Sequence, residues 1–372
     1  MAERLTPAFF FLYFSMTLVA LCMDEAGTKT VPAVFIFGDS TFDVGTNNFL
    51  NESTAKSNFP YNGIDYAFSI PTGRFSNGYN TADEIVRLLG FAISPPPFLS
   101  LVSHYSTFRQ RILLGVNFAS GGSGIFSSTG LGFGKVVSLA EQIQQFSTVH
   151  GNISEMLSPN ATSRIFSQSL FLISTGSNDM FEFSAATLNR TTNVTASEFL
   201  QSLLSNYTNH LQNLYDLGAR KFAIVSVPPI GCCPSPRAVL KSDVCIKEMN
   251  DLAVAFFVNI QALLKSWSSQ FPGVTYSLAN SYQMTSDVME NPLVFGMKEV
   301  KNACCGKGTF NGELPCDSRI DPTLCSNRRE YLFWDLFHPT AAVSRLAALS
   351  MFGGSSRYVT PMNISQLVET NI

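Results

Sequence analysis

A serine, a histidine and an aspartate stand where they could together perform nucleophilic catalysis. Ser40 closes the triplet Gly38-Asp39-Ser40 after an apolar run, so its hydroxyl can be exposed beyond a strand end where glycine permits a tight turn. Asp335 precedes His338 by three residues, a spacing that lets the carboxylate bond the imidazole Nδ1–H and stabilise the imidazolium. On local preference alone, Ser40 could equally be a turn serine that caps the next helix.

His338 is the preferred base among the four histidines of the chain. His104, His150 and His210 lie in polar or sequon-rich stretches, and we interpret all three as surface residues. Aromatic residues surround the Asp335–His338 pair in the sequence and would shield it from water. The chain therefore contains one candidate serine, one candidate base and one carboxylate to orient that base.

Two loops could supply hydrogen-bond donors to an oxyanion. The glycine-rich segment Asn117–Gly124 follows one apolar run, and its backbone N–H groups could approach a ligand closely. Gly176–Asp179 follows another apolar run, and the Asn178 amide is a neutral donor. Each loop taken singly could also be an ordinary turn. The sequence contains no P-loop, H-E-x-x-H or dinucleotide motif.

The elements that would position these residues alternate between buried strands and helices. The apolar runs that predict strands are Val31–Phe37, Gly115–Ala119, Leu170–Ser174, Phe222–Val227 and Val274–Leu278. Capping boxes at Thr81-x-x-Glu84 and Thr195-x-x-Glu198 predict two helix starts, and Pro339 suits position N1 of a last helix. A helical stripe from Met249 to Trp267 predicts a core helix. This alternation predicts a parallel sheet with helices on both faces, and ligands bind such sheets at the carboxyl ends of their strands.

Composition excludes several classes of function. The chain has 372 residues, a formal net charge of −3, 45% apolar residues and only 14% charged residues, so it can bury a large core and is not a disordered protein. It lacks basic runs, which argues against binding to nucleic acid or to anionic membranes. No linker-like boundary divides residues 27–372, so we predict a single domain.

The N-terminal segment predicts secretion. Arg4 precedes an apolar run from Ala8 to Cys22, which is short for a membrane span and typical of a signal peptide within residues 1–26, with cleavage between 22 and 26. An N-terminal membrane anchor is the less favoured interpretation, and no later stretch predicts a membrane span. The sequons that predict glycosylation open at Asn51, Asn152, Asn160, Asn189, Asn193, Asn206 and Asn363.

Seven of the eight cysteines remain if Cys22 leaves with the signal peptide. In an oxidising compartment we expect about three disulfides and one unpaired thiol, and no C-x-x-C pair suggests zinc. Neighbours such as Cys304 and Cys305 should bond to separate partners, while Cys232 or Cys233 could close a short loop with Cys245. Four cysteines crowd just before Asp335, which suggests that disulfides hold this segment.

Four ordered blocks of the sequence resemble the GDSL (SGNH) hydrolases, and further segments resemble the plant GDSL esterase/lipase group. The blocks are Gly38-Asp39-Ser40 with Asp43 and Gly45, the glycine loop, Gly176-x-Asn178-Asp179 and Asp335-x-x-His338; the further segments include Gly73–Gly78, Ala303–Gly306 and Phe333–Asp335. The resemblance spans about 32–351. It implies a three-layer α/β/α sandwich, flavodoxin-like, with a parallel five-stranded sheet in the order 2-1-3-4-5.

The resemblance also implies roles for individual residues. Ser40 would be the nucleophile, His338 the base and Asp335 its orienting partner. The oxyanion hole would comprise the Ser40 N–H, the Gly121 N–H (with Gly122 as the alternative) and the Asn178 amide. The implied activity is hydrolysis of small-molecule or lipid esters by a secreted enzyme that needs neither metal nor organic cofactor.

Two other functions stay open at this stage. An acyltransferase would use the same residues and pass the acyl group to an alcohol, as in polyester synthesis. A non-catalytic secreted binding protein is the second alternative. The acyl group could bind near Ser94–Leu101 and Ile125–Phe133, although these apolar residues could instead pack against the core.

Overall fold

Five short apolar strands run parallel through the centre of the molecule. The structure is a computed structural model that describes residues 30–371, without the side chain of Tyr105. The predicted signal peptide therefore lies outside the described residues. The strands are β1 (Val34–Gly38), β2 (Gly115–Asn117), β3 (Leu170–Ser174), β4 (Lys221–Val225) and β5 (Thr275–Ala279). Their order, β2-β1-β3-β4-β5, confirms the predicted 2-1-3-4-5 sheet.

Strand register aligns the carboxyl ends at which chemistry was expected. Gly38 pairs with Ser174, Ser174 with Val225, and Val225 with Ala279, so four strands end at one level. A short sixth strand, paired antiparallel with the outer edge of β5, was not predicted. This sixth strand is β10 (Val359–Thr360). Four further short strands form two separate two-stranded sheets, β6 (Glu299–Ala303) with β9 (Tyr331–Phe333) and β7 (Cys305–Gly306) with β8 (Thr323–Leu324).

Helices cover both faces of the sheet. They are α1 (Thr81–Leu88), α2 (Phe98–Val102), α3 (Tyr105–Arg111), α4 (Leu139–Met156), α5 (Pro159–Gln168), α6 (Ser177–Leu188), α7 (Ala196–Asp216), α8 (Pro234–Val239), α9 (Lys247–Gln270), α10 (Ser281–Glu290), α11 (Ala341–Gly353) and α12 (Ile364–Glu369). Alternate strand residues divide between two cores. Phe35 and Phe37 pack with α4, α7 and α9, whereas Val34 and Ile36 pack with α1, α11 and α12. The arrangement is the predicted three-layer sandwich.

Helix starts agree with the sequence predictions in part. Thr195 caps α7 through the predicted capping box with Glu198. The box of α1 is formed by Asn80 and Asp83, one residue before the predicted pair, because the Asn80 side chain accepts the Asp83 N–H. Thr340 caps α11 through Val343, which places Pro339 outside the helix rather than at N1. The stripe of α9 is buried as predicted.

The cysteines pair as the sequence led us to expect. Disulfides join Cys232 to Cys245, Cys304 to Cys325 and Cys305 to Cys316, and Cys233 is a buried free thiol. Adjacent Cys304 and Cys305 thus have separate partners. Within residues 30–371, no helix is long and apolar enough to cross a membrane.

Candidate active site

Ser40 lies two residues beyond the end of β1. The Asp39 N–H donates to the Ser174 carbonyl at 3.1 Å, and the Phe42 and Asp43 N–H groups donate to the Asp39 carbonyl at 3.1 and 3.0 Å, so the chain turns sharply at Ser40. Gly38 has φ 136°, and a Cβ there would lie 1.9 Å from the Ser174 oxygen. Only glycine fits at this position, and the turn presents the Ser40 hydroxyl at the strand ends.

His338 meets Ser40 across 298 residues of sequence. The Ser40 hydroxyl lies 2.7 Å from His338 Nε2, and His338 Nδ1 lies 2.8 Å from one Asp335 carboxylate oxygen and 2.9 Å from the other. The network fits a tautomer in which Nδ1–H donates to Asp335 and the Ser40 hydroxyl donates to Nε2. The structure thus brings together all three residues predicted to form the nucleophilic site.

The Asp335 carboxylate is itself fixed by the backbone. It accepts the N–H groups of Phe337 at 3.0 Å and of His338 at 2.9 Å, so its orientation does not depend on the imidazole alone. Burial disfavours the imidazolium of His338, but the charge and hydrogen bond of Asp335, with the charge of Asp39, outweigh it and raise the pKa of His338 above its ordinary value. The Phe75 ring packs 5.0 Å from the imidazole, centroid to centroid.

The glycine loop requires one correction to the predicted oxyanion hole. The Gly121 N–H donates to the Asp43 carboxylate at 2.9 Å and is therefore already engaged in a hydrogen bond. Gly122, with φ 84°, lines the cavity that contains Ser40 and Asn178. The backbone geometry therefore favours Gly122, the alternative named from the sequence, over Gly121.

Asn178 lies in the first turn of α6 and also lines this cavity. Its Nδ2 donates to the Ser123 carbonyl at 2.9 Å, which orients the amide, and the second Nδ2 hydrogen is left for another acceptor. The neighbouring Asp179 carboxylate accepts the Ile125 and Phe126 N–H groups at 2.9 and 3.0 Å. These bonds join the glycine loop to α6.

Buried side chains that the sequence interpretation missed hold the loops in place. Gln142 of α4 accepts the Gly38 N–H and donates to the Gly38 carbonyl, both at 2.9 Å, and also donates to Val137. Asn47 donates to the Gly121 carbonyl at 2.8 Å. The Gln142–Gly38 and Asn47–Gly121 bonds span 104 and 74 residues, so the sequence alone gives no local signal for them. The motif residue Asp43 was noted only as part of the resemblance.

His210 is not the surface residue that its sequence context predicted. It is buried, and its Nε2 lies 3.0 Å from the Ile125 carbonyl, so it supports the glycine loop from α7. Burial lowers its pKa, which favours the neutral ring. Its position on the inner face of α7 explains the error, because the glycosylation sequons mark only the outer face.

The segment 74–80 connects the turn that carries Ser40 with the start of α11, which follows His338. Arg74 forms a buried ion pair with Asp83 at 2.7 Å, and the Asn80 side chain donates to the Asp43 carbonyl at 3.1 Å. Asn77 accepts the Ala341 N–H at the start of α11, at 2.8 Å. This segment therefore relates the positions of Asp43 and His338 to each other.

The disulfide region lies directly against the Asp335 segment. The Cys304 N–H donates to the Phe333 carbonyl at 2.9 Å, and the Cys305 N–H donates to the Trp334 carbonyl at 2.7 Å. Trp334 is buried, and its Nε1–H donates to Asn62 at 2.9 Å. Two disulfide-bonded residues thus contact the chain just before Asp335, as the crowding of cysteines suggested.

A cavity of about 1850 Å³ opens beside Ser40 and His338. One side, which we call the loop wall, is formed by Thr54, Lys56, Ser57, Phe59, Asn62 and Phe133. The other side, which we call the helical wall, is formed by Phe181, Ser184, Ala185 and Leu188 of α6, Leu200 and Leu204 of α7, and Met249, Leu252 and Ala255 of α9. The site thus combines a polar wall with a long and mostly apolar wall.

The two apolar segments considered for acyl binding mostly pack against the core, which is the alternative named from the sequence. In the described part of the chain, Ser94–Leu101 does not line the cavity, because Phe98 and Leu101 are buried in the core. Ile125–Phe133 contributes only Gly132 and Phe133. The periodicity of α9 had suggested core alone, but Met249 and Leu252 of its stripe line the cavity.

The sequon asparagines differ in exposure. Asn51, Asn160, Asn189 and Asn193 are exposed, whereas Asn152, Asn206 and Asn363 are partly buried. Asn363 caps α12, and its Nδ2 donates to the Gly354 carbonyl at 3.2 Å. The Nδ2 groups of Asn152 and Asn206 likewise donate to the Thr148 and Ser202 carbonyls, at 2.9 and 3.0 Å. Attachment of a sugar would disturb each of these bonds, and the seven sites stay predictions.

Comparisons with known proteins give one consistent result. Residues 34–351 match the family model described as GDSL-like lipase/acylhydrolase. The chain is 36% identical over 355 residues to the GDSL esterase/lipase At5g55050 of Arabidopsis thaliana, covering 93% of each chain. It is also 36% identical over 340 residues to the GDSL esterase/lipase LTL1 of the same plant, covering 90% of each. These matches include the nucleophile turn and the histidine segment.

Proposed function

The chain belongs to the GDSL-like lipase/acylhydrolase family, a family of ester hydrolases, and from this premise we propose that it is a secreted serine esterase or lipase that works through an acyl-enzyme on Ser40. The single observation that carries the mechanism is the 2.7 Å contact between Ser40 Oγ and His338 Nε2, with Asp335 behind the imidazole. This is the arrangement that a serine nucleophile needs.

The proposed reaction has two halves. The Ser40 oxygen bonds to the ester carbonyl carbon while its proton passes to His338, and the carbonyl oxygen becomes an oxyanion that the Ser40 N–H, the Gly122 N–H and the Asn178 amide stabilise. The ester C–O bond then breaks, and the leaving alcohol takes the proton from His338. Water, deprotonated by His338, attacks the acyl-enzyme and releases the acid and the free serine.

Acyl transfer to an alcohol would use the same acyl-enzyme, with the alcohol in place of water. Product analysis with an ester substrate in the presence of glycerol therefore separates the two reactions, because hydrolysis gives the free acid and transfer gives an acylglycerol. We expect the free acid as the main product, in agreement with the names of the relatives.

Secretion is part of the proposal. Three disulfides between described cysteines support an oxidising compartment, and the predicted signal peptide and exposed sequons agree with it. Expression in plant cells followed by N-terminal sequencing of the protein from the medium tests this point. A new N-terminus between 23 and 27 is expected, and retention of the full-length protein inside the cell would contradict it.

The decisive test of the chemistry is Ser40→Ala, assayed on p-nitrophenyl acetate. We expect loss of turnover by at least about 10³-fold with an unchanged melting temperature. A fluorophosphonate probe should label the wild type and not the variant. Unchanged turnover in Ser40→Ala, or wild-type protein that the probe does not label, would favour the non-catalytic binding protein instead.

A further inference from the structure

The cavity beside Ser40 is larger than a short ester requires. Its volume of about 1850 Å³ exceeds the roughly 300–1,000 Å³ of ordinary small-molecule pockets. The reacting groups occupy only one part of its lining, and the helical wall continues beyond them. A substrate that fills the cavity must therefore extend well past the ester bond.

The helical wall begins at the candidate oxyanion donor and leads outward. Asn178, Phe181, Ala185 and Leu188 follow one another at intervals of three or four residues along α6, so they share one face of that helix. From Asn178 to Leu188 the helix rises about 15 Å. A zigzag of C–C bonds of about 1.5 Å covers that distance with roughly twelve carbons.

On the facing side of the wall the buried lining residues are apolar, whereas polar lining residues of α7 and α9 such as Gln201, Glu248 and Asp251 are exposed. Leu200 of α7 and Met249 and Leu252 of α9 are each 7% exposed, and Ala255 continues the same face of α9. The cavity lining also includes Val194 and Val239, which are 49% and 67% exposed. A hydrocarbon chain lying here would cover apolar surface that water now contacts, at a gain of about 25 cal/mol per Å².

We propose that the helical wall is an acyl-binding channel that selects esters of long, unbranched acyl chains, with the small side chains of Ser184 and Ala255 setting its width. The loop wall, with Thr54, Lys56 and Asn62, is polar and takes the alcohol side of the ester. This inference rests on the proposed function, because it assumes that the acyl carbonyl sits at Ser40.

The test fills the channel from two sides. Ala255→Phe narrows it from α9 and Ser184→Phe from α6. Val258→Phe is the matched control, since Val258 lies on α9, is 57% exposed and does not line the cavity. For Ala255→Phe and Ser184→Phe, kcat/KM for p-nitrophenyl dodecanoate should fall at least tenfold while kcat/KM for p-nitrophenyl acetate stays within about twofold. Val258→Phe should leave both values unchanged.

Two further measurements show whether the channel binds the acyl chain or the alcohol chain of the ester. Turnover of dodecyl acetate, which carries its long chain on the alcohol, should be unaffected by Ala255→Phe; a selective loss there would overturn the orientation proposed. Fluorescence titration with 11-(dansylamino)undecanoic acid measures the channel without turnover, and Ala255→Phe should weaken binding at least tenfold relative to Val258→Phe.

The inference and the proposed function fail in different ways. If the acetate is hydrolysed and the dodecanoate-to-acetate ratio is the same in the wild type and both channel variants, the channel is overturned and the esterase stands. If no ester is hydrolysed, the proposed function fails, and binding of the fluorescent acid tests the channel by itself. Weaker binding in Ala255→Phe than in Val258→Phe supports the channel, and equal binding in all proteins overturns it.

Discussion

The Gly121 N–H points at the carboxylate of Asp43, 2.9 Å away, and not at the candidate reaction centre. The same carboxylate accepts the Gly45 and Thr46 N–H groups, each at 2.7 Å. Asp43 thus ties the glycine loop to the turn that carries Ser40. Burial raises the pKa of Asp43 to about 6, so the three N–H groups compensate only in part for the lost solvation of its charge.

Asp43 has no contact with the substrate in the proposed reaction, but Asp43→Asn should still lower kcat. An amide offers one oxygen and an NH₂ group that faces backbone donors, so the loop is expected to shift. Misplacement by about 1 Å can cost roughly 10²-fold in rate, and we expect kcat for p-nitrophenyl acetate to fall by about that factor with a smaller change in KM. Asp321→Asn, at an exposed position, is the control, and equal kcat values for the two variants would contradict this role.

The charge of Asp39 should influence the pH dependence of kcat/KM. Asp39 is 2% exposed, and burial raises its pKa to about 6. Its charge is one of the influences that raise the pKa of His338 above the ordinary value of 6.5. Because the base must be neutral, kcat/KM should fall as the pH drops through a midpoint above 6.5.

Asp39→Asn should move that midpoint to lower pH, because it removes a negative charge that favours the imidazolium. The measurement is kcat/KM for p-nitrophenyl acetate between pH 5 and 9 for the wild type, Asp39→Asn and the Asp321→Asn control. A midpoint that stays the same in Asp39→Asn, while kcat/KM still depends on pH, would show that Asp39 does not act on His338.

The carboxyl groups of Asp39 and Asp43 should make the free energy of unfolding fall as the pH rises. Asp39 and Asp43 have folded-state pKa values of about 6 against an ordinary value of 3.8, so the folded protein binds more protons than the unfolded chain between these values. Their contribution to the free energy of unfolding is fully present below pH 3.8 and is lost as the pH rises through 6. The loss on going from pH 5 to pH 7 should be smaller in Asp43→Asn than in the wild type, measured by urea unfolding; equal losses would contradict the raised pKa.

The sheet and the three reacting side chains could be predicted because they depend on local patterns. Strands buried on both faces are continuous apolar runs, and parallel strands bring Ser40 and Asn178 to one edge wherever the intervening helices lie. The pair Asp335 and His338 lies within four residues, so spacing alone indicates its hydrogen bond. The strand order and the Asp335–His338 pair can be predicted without knowing where each helix begins.

The supporting contacts could not be predicted because they are long-range bonds between a side chain and a distant backbone group. Asp43 reaches Gly121 over 78 residues, and His210 reaches Ile125 over 85. Nothing in the sequence near His210 marks the inner face of its helix as polar. Strand β10 has only two residues, too short for a periodic signal. The helical wall was also not predicted from the sequence, because residues that line a cavity and residues that fill a core follow the same helical period.

Two disulfide pairs allow a comparison of stability with catalysis. Cys304→Ser with Cys325→Ser removes a bridge whose residue Cys304 donates its N–H to the chain just before Asp335. Cys232→Ser with Cys245→Ser removes a bridge next to Cys233 and Ser235, which donate to backbone carbonyls between Asp335 and His338. Each double variant should lose about 2–4 kcal/mol of the free energy of unfolding. Both should also lower kcat at a temperature where they remain folded. A kcat equal to that of the wild type in either variant would mean that its bridge holds the fold and not the catalytic segment.

Gln142 offers the sharpest test of the buried support. Its amide bonds both the N–H and the carbonyl of Gly38, two residues before Ser40, and the side chain is fully buried. Gln142→Ala removes the acceptor of the Gly38 N–H, while the Gly38 carbonyl still accepts the Ser120 N–H and the Ser123 hydroxyl. We expect a loss of about 2 kcal/mol in the free energy of unfolding, together with a lower kcat. Gln144→Ala, two residues along the same helix and exposed, should change stability by less than about 0.5 kcal/mol. The measurement is the urea midpoint of both variants at one pH. If the two midpoints coincide, the Gln142 amide contributes nothing to the stability of the nucleophile turn.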